Sequence, residues 1–133
     1  MTRVLPLAII LLGLLAGCSQ ANSPQDPIDI QQEEADVLAQ RLDDLHATAA
    51  AVSCTDASTW RYTSTGDKAC GGPSGYIAYP VQIDTLVFLQ RVEAHRQAER
   101  AFNLKWGVTS DCEVHPEPIG IACEGSEAVL LYR

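Results

Sequence analysis

The residues that could perform chemistry are few, and the best placed are a cysteine, a histidine and a glutamate. Cys70 precedes Gly71 and Gly72, and a glycine turn can present backbone N–H groups to the oxyanion formed when a thiolate attacks a carbonyl. His95 and Glu99 stand four residues apart, one turn of a helix, as two metal ligands or a hydrogen-bonded pair would. The favoured interpretations are structural: Cys70 as half of a disulfide, and His95 as a half-buried side chain hydrogen-bonded to Glu99.

Metal binding and acid–base catalysis find little support in the sequence. It contains no His-Glu-x-x-His segment and no two histidines at ligand spacing. Asp43 and Asp44 are adjacent, so their carboxylates leave a helix in different directions and do not form an acid–base pair. The sequence therefore predicts neither a metal nor a cofactor, and an enzyme that uses Cys70 or His95 is kept as an alternative.

Three aromatic residues near the middle of the chain, Trp60, Tyr62 and Tyr76, are candidates for a binding surface. If they share an exposed sheet face, they can stack on a sugar or anchor a peptide. Packing in the core accounts for the same residues and is the favoured interpretation.

The composition indicates one small acidic domain. The chain has 133 residues, with 17 acidic and 9 basic side chains and a net charge of −8. Nucleic-acid binding needs a basic surface that displaces counterions, and electrostatic docking on anionic lipid needs the same. Both are therefore excluded.

The amino terminus has the pattern of an export signal. Arg3 is followed by a largely apolar stretch at 4–16, which as a helix is about 20 Å long and falls short of the ~30 Å hydrocarbon core of a bilayer. Leu15-Ala16-Gly17-Cys18 resembles the bacterial lipobox, in which the cysteine is lipidated and becomes the new amino terminus. We expect a signal peptide at 1–17, a lipid on Cys18 and a flexible tether to residue 28.

The resemblance to bacterial lipoproteins also implies a location. More than one acyl chain on Cys18 would hold the protein stably in a membrane. Ser19 follows Cys18, and by resemblance to enterobacterial sorting the absence of Asp there favours the outer membrane of a Gram-negative bacterium. The expected partners are that membrane, through the lipid, and an unknown envelope or external protein or glycan. Arg3 is the one charged residue before Cys18, so the mature chain carries a net charge of −9.

Four cysteines remain after Cys18, namely Cys54, Cys70, Cys112 and Cys123. In an oxidising compartment an even number predicts two disulfides. All three pairings are open. A hairpin at the Pro116–Pro118 turn would bring Cys112 to Cys123, so we favour that pair together with Cys54–Cys70.

Hydrophobic periodicity predicts an α+β domain at 29–133, with two helices packed on a small antiparallel sheet and stapled by two disulfides. Helices are predicted at 30–52, beginning near Asp29, and at about 84–105, capped by Asp84 and stopped by Gly107. Strands are predicted at 59–63 and 76–79, followed by a three-stranded meander at 108–114, 119–123 and 128–132.

The domain also resembles a family of small exported bacterial proteins of undetermined function with paired cysteines. The resemblance rests on the segments GDKACGGP at 66–73, YIAY at 76–79 and SDC at 110–112, followed by Cys123. It implies a secreted or lipid-anchored domain and no particular activity. We expect a non-catalytic, lipid-anchored binding module of the cell envelope. The alternatives are an inhibitor of a basic hydrolase such as lysozyme, toward which the negative charge would steer it, and an envelope enzyme using Cys70 or His95.

Overall fold

Two helices and two β-hairpins make up the part of the chain that the computed structural model describes, residues 26–133. In chain order the elements are α1 (Pro27–Ala50), a short 3-10 turn (Ala57–Thr59), β1 (Trp60–Thr65), β2 (Gly75–Pro80), α2 (Thr85–Trp106), β3 (Gly120–Glu124) and β4 (Glu127–Leu131). The predicted signal peptide and the predicted lipidation site at Cys18 lie outside the described residues.

Both helices begin at an aspartate whose carboxylate accepts a hydrogen bond from a free backbone N–H of the first turn. In α2 the Asp84 carboxylate accepts from the N–H of Val87 at 3.0 Å, and Gly107 ends the helix in the left-handed conformation at φ +59°. The predicted cap at Asp84 and the predicted stop at Gly107 are both confirmed. Helix α1 is predicted to begin near Asp29 and begins two residues earlier, because Asp26 is the cap and Pro27 occupies the first helical turn, where a missing N–H costs nothing.

The strands form two separate antiparallel pairs, β1 with β2 and β3 with β4. The first pair confirms the strands predicted at 59–63 and 76–79. The strand predicted at 108–114 is wrong, since residues 108–119 have no regular secondary structure. Cys112 has φ +56°, a left-handed conformation that cannot continue a strand. The predicted three-stranded meander is therefore a two-stranded hairpin.

The core lies where the two helices cover one face of the first hairpin. Leu45 from α1, Ile77 from β2 and Phe88 from α2 are each at most 2% exposed. Ala49 and Val92 complete this cluster, and Tyr79 packs its ring against Phe88 with centroids 5.1 Å apart. Leu45 and Ala49 of α1 and Phe88 and Val92 of α2 therefore form the apolar contact of the helices with this hairpin.

The second hairpin packs on the first away from this core, with β3 against β1 and β4 against β2. Trp60, at the start of β1, is 5% exposed and fills the space between the hairpins, since it borders β3 on one side and β4 on the other. The first hairpin is thus the middle layer between the helices and the second hairpin.

Two disulfides staple this α+β fold, as predicted, but the favoured pairing is wrong. Cys54 is bonded to Cys123, and Cys70 is bonded to Cys112. The backbone N–H of Cys54 donates to the carbonyl of Ser126 at 2.8 Å. This bond brings the segment after α1 to the end of the β3–β4 hairpin, next to Cys123. Because no strand forms before β3, Cys112 is free to reach the loop that contains Cys70.

Candidate functional site

Cys70 and Cys112 lie at the surface and form a disulfide with each other. A disulfide sulfur carries no thiolate, so in this oxidised state Cys70 is not the nucleophile that its glycine neighbours would suit. The predicted interpretation of Cys70 as half of a disulfide is confirmed, with Cys112 as its partner.

His95 and Glu99 do not form the predicted hydrogen bond. The side chain of His95 is 5% exposed, and its Nδ1 has no hydrogen-bond partner among the described residues. Burial is the main cause that lowers the pKa of this imidazole. The negative charge of Glu99 opposes this shift, and the positive charge of Arg41 adds to it. No group of three or more histidine, cysteine, aspartate or glutamate side chains within residues 26–133 is arranged to hold a metal ion.

Glu99 instead fixes the loop that follows β1. Its carboxylate accepts from the backbone N–H of Asp67 at 2.7 Å and from the hydroxyl of Ser74 at 3.0 Å. Gly66 is buried at φ +73°, and a Cβ there would collide with Glu99 and Ser74. The side-chain amide of Asn103 adds a 2.6 Å bond to the Asp67 carbonyl. The GDKACGGP segment is therefore attached to α2 at its first residues, a role that its spacing alone did not indicate.

The three predicted aromatic residues have different environments. Trp60 and Tyr62 lie on the same face of the first hairpin as Tyr76, which pairs with Ser64 on β1, because side chains alternate along a strand. Trp60 is 5% exposed, which agrees with the favoured interpretation of core packing and removes it from a candidate exposed surface. Tyr62 and Tyr76 are half-buried and meet edge to face with centroids 6.3 Å apart.

Tyr62 also contacts the irregular segment before β3. Its hydroxyl donates to the carboxylate of Glu117 at 3.5 Å, and partial burial followed by the charge of Glu117 raises the pKa of this phenol. Tyr62 therefore helps to hold the segment 108–119, and of the three aromatic residues Trp60 and Tyr76 alone border the cleft described next.

A cleft of about 580 Å³ opens between β2, β4 and the carboxyl-terminal part of α1. Trp60, Tyr76 and Tyr132 supply aromatic surface, and the lining also contains the imidazole of His46 and the carboxylate of Glu127. A concave surface that combines apolar and aromatic groups with a few polar ones is the usual form of a binding site. The cleft is therefore the candidate functional site of the described chain, and of its lining the sequence indicated only Trp60 and Tyr76.

Consecutive residues of both strands line this cleft, Tyr76 to Ala78 on β2 and Glu127 to Leu130 on β4, together with Ser126 of the preceding turn. Side chains of consecutive residues point to opposite faces of a strand, so the cleft runs along the strand edges as well as along one face. Within residues 26–133, β2 pairs only with β1 and β4 only with β3. Main-chain groups on these two edges therefore face the cleft.

No family model, curated protein or solved structure was found to match this chain. The resemblance to bacterial lipoproteins and to small exported cysteine-paired proteins stays a prediction from the sequence. Neither helix of the described region is long and apolar enough to cross a membrane.

Proposed function

We propose that this protein is a lipid-anchored, non-catalytic binding module of the bacterial cell envelope. The observation that carries the binding role is the cleft of about 580 Å³ between the two hairpins, with Trp60 and Tyr76 in its lining. The anchoring role is supported by the sequence Leu15-Ala16-Gly17-Cys18, preceded by a short apolar stretch and Arg3.

The environments of the two catalytic candidates support a role in binding over one in catalysis. Cys70 is bonded to Cys112. His95 lies 5% exposed on the helix face that packs on the first hairpin, while Glu99 is engaged with backbone and hydroxyl donors of the loop. A catalytic nucleophile needs a base within hydrogen-bond reach. Among the described residues, neither Cys70 nor His95 has such a base as a hydrogen-bond partner.

Metabolic labelling tests the anchor. Labelled palmitate should enter the full-length protein expressed in a Gram-negative host, and the Cys18→Ala variant should remain unlabelled. Ser19→Ala is the matched control, because it changes the neighbouring position and keeps the cysteine. Equal labelling of the wild type and Cys18→Ala would refute the anchor.

Site-specific photo-crosslinking tests the binding role in the intact envelope. A crosslinking amino acid at Tyr132, which borders the cleft and is 47% exposed, should give a defined adduct. The same amino acid at Leu104, which lies on α2 outside the cleft and is 77% exposed, is the matched control. Identical adduct patterns at both positions would contradict a specific role of the cleft.

A further inference from the structure

The hydrogen-bonding pattern of the hairpins identifies which backbone groups face the cleft. Gly125 and Ser126 alone connect β3 to β4, so Glu124 and Glu127 form the closing pair, in which both hydrogen bonds are exchanged. Since hydrogen-bonded and non-bonded pairs alternate, Val129 also points its backbone groups at β3. Ala128 and Leu130 therefore direct their N–H and C=O groups away from β3, toward the unpaired edge.

One position of this edge is already used by the chain itself. The carbonyl of Ser126, two residues before Ala128, accepts the backbone N–H of Cys54 at 2.8 Å. This carbonyl and the N–H of Glu127 belong to one planar trans peptide unit and point in opposite directions, so the bond agrees with the N–H of Glu127 facing β3. It places the segment after α1 beside the turn that precedes β4, and Ala128 and Leu130 continue the same edge.

The edge of β4 has few of the features that protect an exposed strand. Glu127–Leu131 has the sequence EAVLL, with one charged residue at its start and without a lysine or a proline, which prevent pairing with another chain. β2, across the cleft, ends in Pro80, which has no N–H to donate. Of the two edges, β4 is therefore the better template for an added strand.

The charge of the cleft favours a particular kind of strand. Its lining contains the carboxylate of Glu127 and the imidazole of His46, but neither lysine nor arginine. The described residues carry 17 acidic and 8 basic side chains. A peptide with a basic residue near Glu127 would gain attraction there, and β-branched side chains would pack against Tyr76 and Trp60.

We propose that the cleft binds an extended, basic peptide segment of a partner protein by adding it as a strand to the free edge of β4, paired with the backbone of Ala128 and Leu130. In this mode, main-chain hydrogen bonds supply affinity and alternate side chains enter the cleft. The inference rests on the proposed binding function and specifies the chemistry of the partner.

The probe is a fluorescent peptide of sequence Lys-Val-Thr-Val-Thr-Val, and its matched control is the same peptide N-methylated at the four residues Val-Thr-Val-Thr. N-methylation removes backbone donors while keeping the side chains and the charge. Fluorescence anisotropy with the oxidised protein should show about tenfold weaker binding of the methylated peptide, as expected for the loss of two hydrogen bonds. Equal affinity of the two peptides, or binding of neither, would overturn the proposal.

A second measurement locates the peptide without altering the protein. Amide hydrogen exchange followed by NMR should slow at Ala128 and Leu130 when the unmethylated peptide is added. Slowing confined to Tyr76 and Ala78 would overturn the assignment to β4. Slowing that depends on protein concentration in the absence of peptide would show that a second copy of this chain occupies the edge, which also overturns it.

A backbone variant gives the complementary result. Ala128→Pro removes an outward N–H that the hairpin does not use, and proline is tolerated on a free strand edge. We expect at least fivefold weaker peptide binding, whereas Leu104→Ala, at an exposed position of α2 outside the cleft, should bind as the wild type does. Circular dichroism shows whether each variant is folded, and the exchange experiment on the wild type decides the matter if Ala128→Pro is not.

Failure of this inference and failure of the proposed function give different results. If the peptide does not bind but Tyr132 still forms a specific crosslink in the envelope, the cleft has another kind of ligand. If the crosslink and the palmitate label are also absent, the proposed function fails.

Discussion

The two disulfides of this protein hold regions of opposite character. Cys54–Cys123 joins the segment after α1 to β3, and Cys54 is 1% exposed. Cys70–Cys112 joins two surface segments without regular structure, and both of its cysteines are exposed. The comparison teaches that one bond joins packed layers beside the cleft, while the other joins two surface segments that are otherwise held by polar contacts.

The backbone around the exposed disulfide shows the same contrast. Cys112 adopts φ +56°, which for a residue with a side chain costs about 1 kcal/mol or more. Lys68 compensates by bonding the carbonyl of Glu113 at 2.6 Å and the carboxylate of Asp111 at 3.1 Å. The exposed region is thus held by the disulfide and a few polar contacts, whereas the buried one is held by packing as well.

Removing the buried disulfide should have the largest effect. The double variant Cys54→Ala/Cys123→Ala should lose about 4 kcal/mol in the free energy of unfolding, because the bond closes a separation of 69 residues. Urea unfolding followed by tryptophan fluorescence measures the loss. A loss below about 1 kcal/mol would show that the packing of Trp60 holds the two hairpins together without the bond.

Removing the exposed disulfide should cost less. Chain entropy alone predicts about 4 kcal/mol for a separation of 42 residues, but the segment 108–119 would also gain freedom in the folded state. We therefore expect about 2 kcal/mol for Cys70→Ser/Cys112→Ser. A loss equal to that of the buried pair would refute the contrast between the two regions.

Graded reduction provides a direct comparison within one molecule. With increasing dithiothreitol, alkylation and mass spectrometry should detect thiols at Cys70 and Cys112 first, because a thiolate can reach their sulfurs. Simultaneous labelling of Cys54 and Cys123 would contradict the difference in accessibility.

A smaller loss is expected from Glu99→Ala, which removes the acceptor that fixes the loop carrying Cys70. Two bonds to a half-buried carboxylate suggest a loss of about 1.5 kcal/mol. Gln90→Ala, at an exposed position on the same helix, is the matched control and should change stability very little. Thermal unfolding of both variants provides the measurement. An equal change in Tm for both variants would show that the hydrogen bonds of Glu99 to the loop contribute nothing to stability.

The smallest effect concerns the polar contacts around Cys112. The backbone N–H of Glu113, followed by Lys68, lowers the pKa of Asp111 below its ordinary value of 3.8. The stabilisation from this carboxylate is therefore complete above pH 3.8 and is lost as pH falls through the lowered pKa. Lys68→Met should lower Tm by roughly 2 °C at pH 7, and the difference from the wild type should shrink at pH 2–3. A difference that stays constant with pH would exclude the ion pair as its cause.

Local features were the most predictable from the sequence. Asp84 and Gly107 mark the ends of α2 because capping and left-handed termination depend on a few neighbouring residues. The strands at 59–63 and 76–79 were recognisable from β-branched and aromatic residues. For the candidate site, the sequence indicated Trp60 and Tyr76 but not the cleft, since the contribution of β4 depends on where the second hairpin packs.

The incorrect predictions concern contacts between distant residues. The pairing Cys112–Cys123 assumed a strand at 108–114, and the positive φ of Cys112 prevents one. The sequence by itself determined the helices, the first hairpin, the number of paired cysteines and the acidic charge, all of which follow from residue type and local spacing. Only the tertiary structure decided which cysteines meet and that the edges of β2 and β4 face one cleft, because these depend on how separate elements pack.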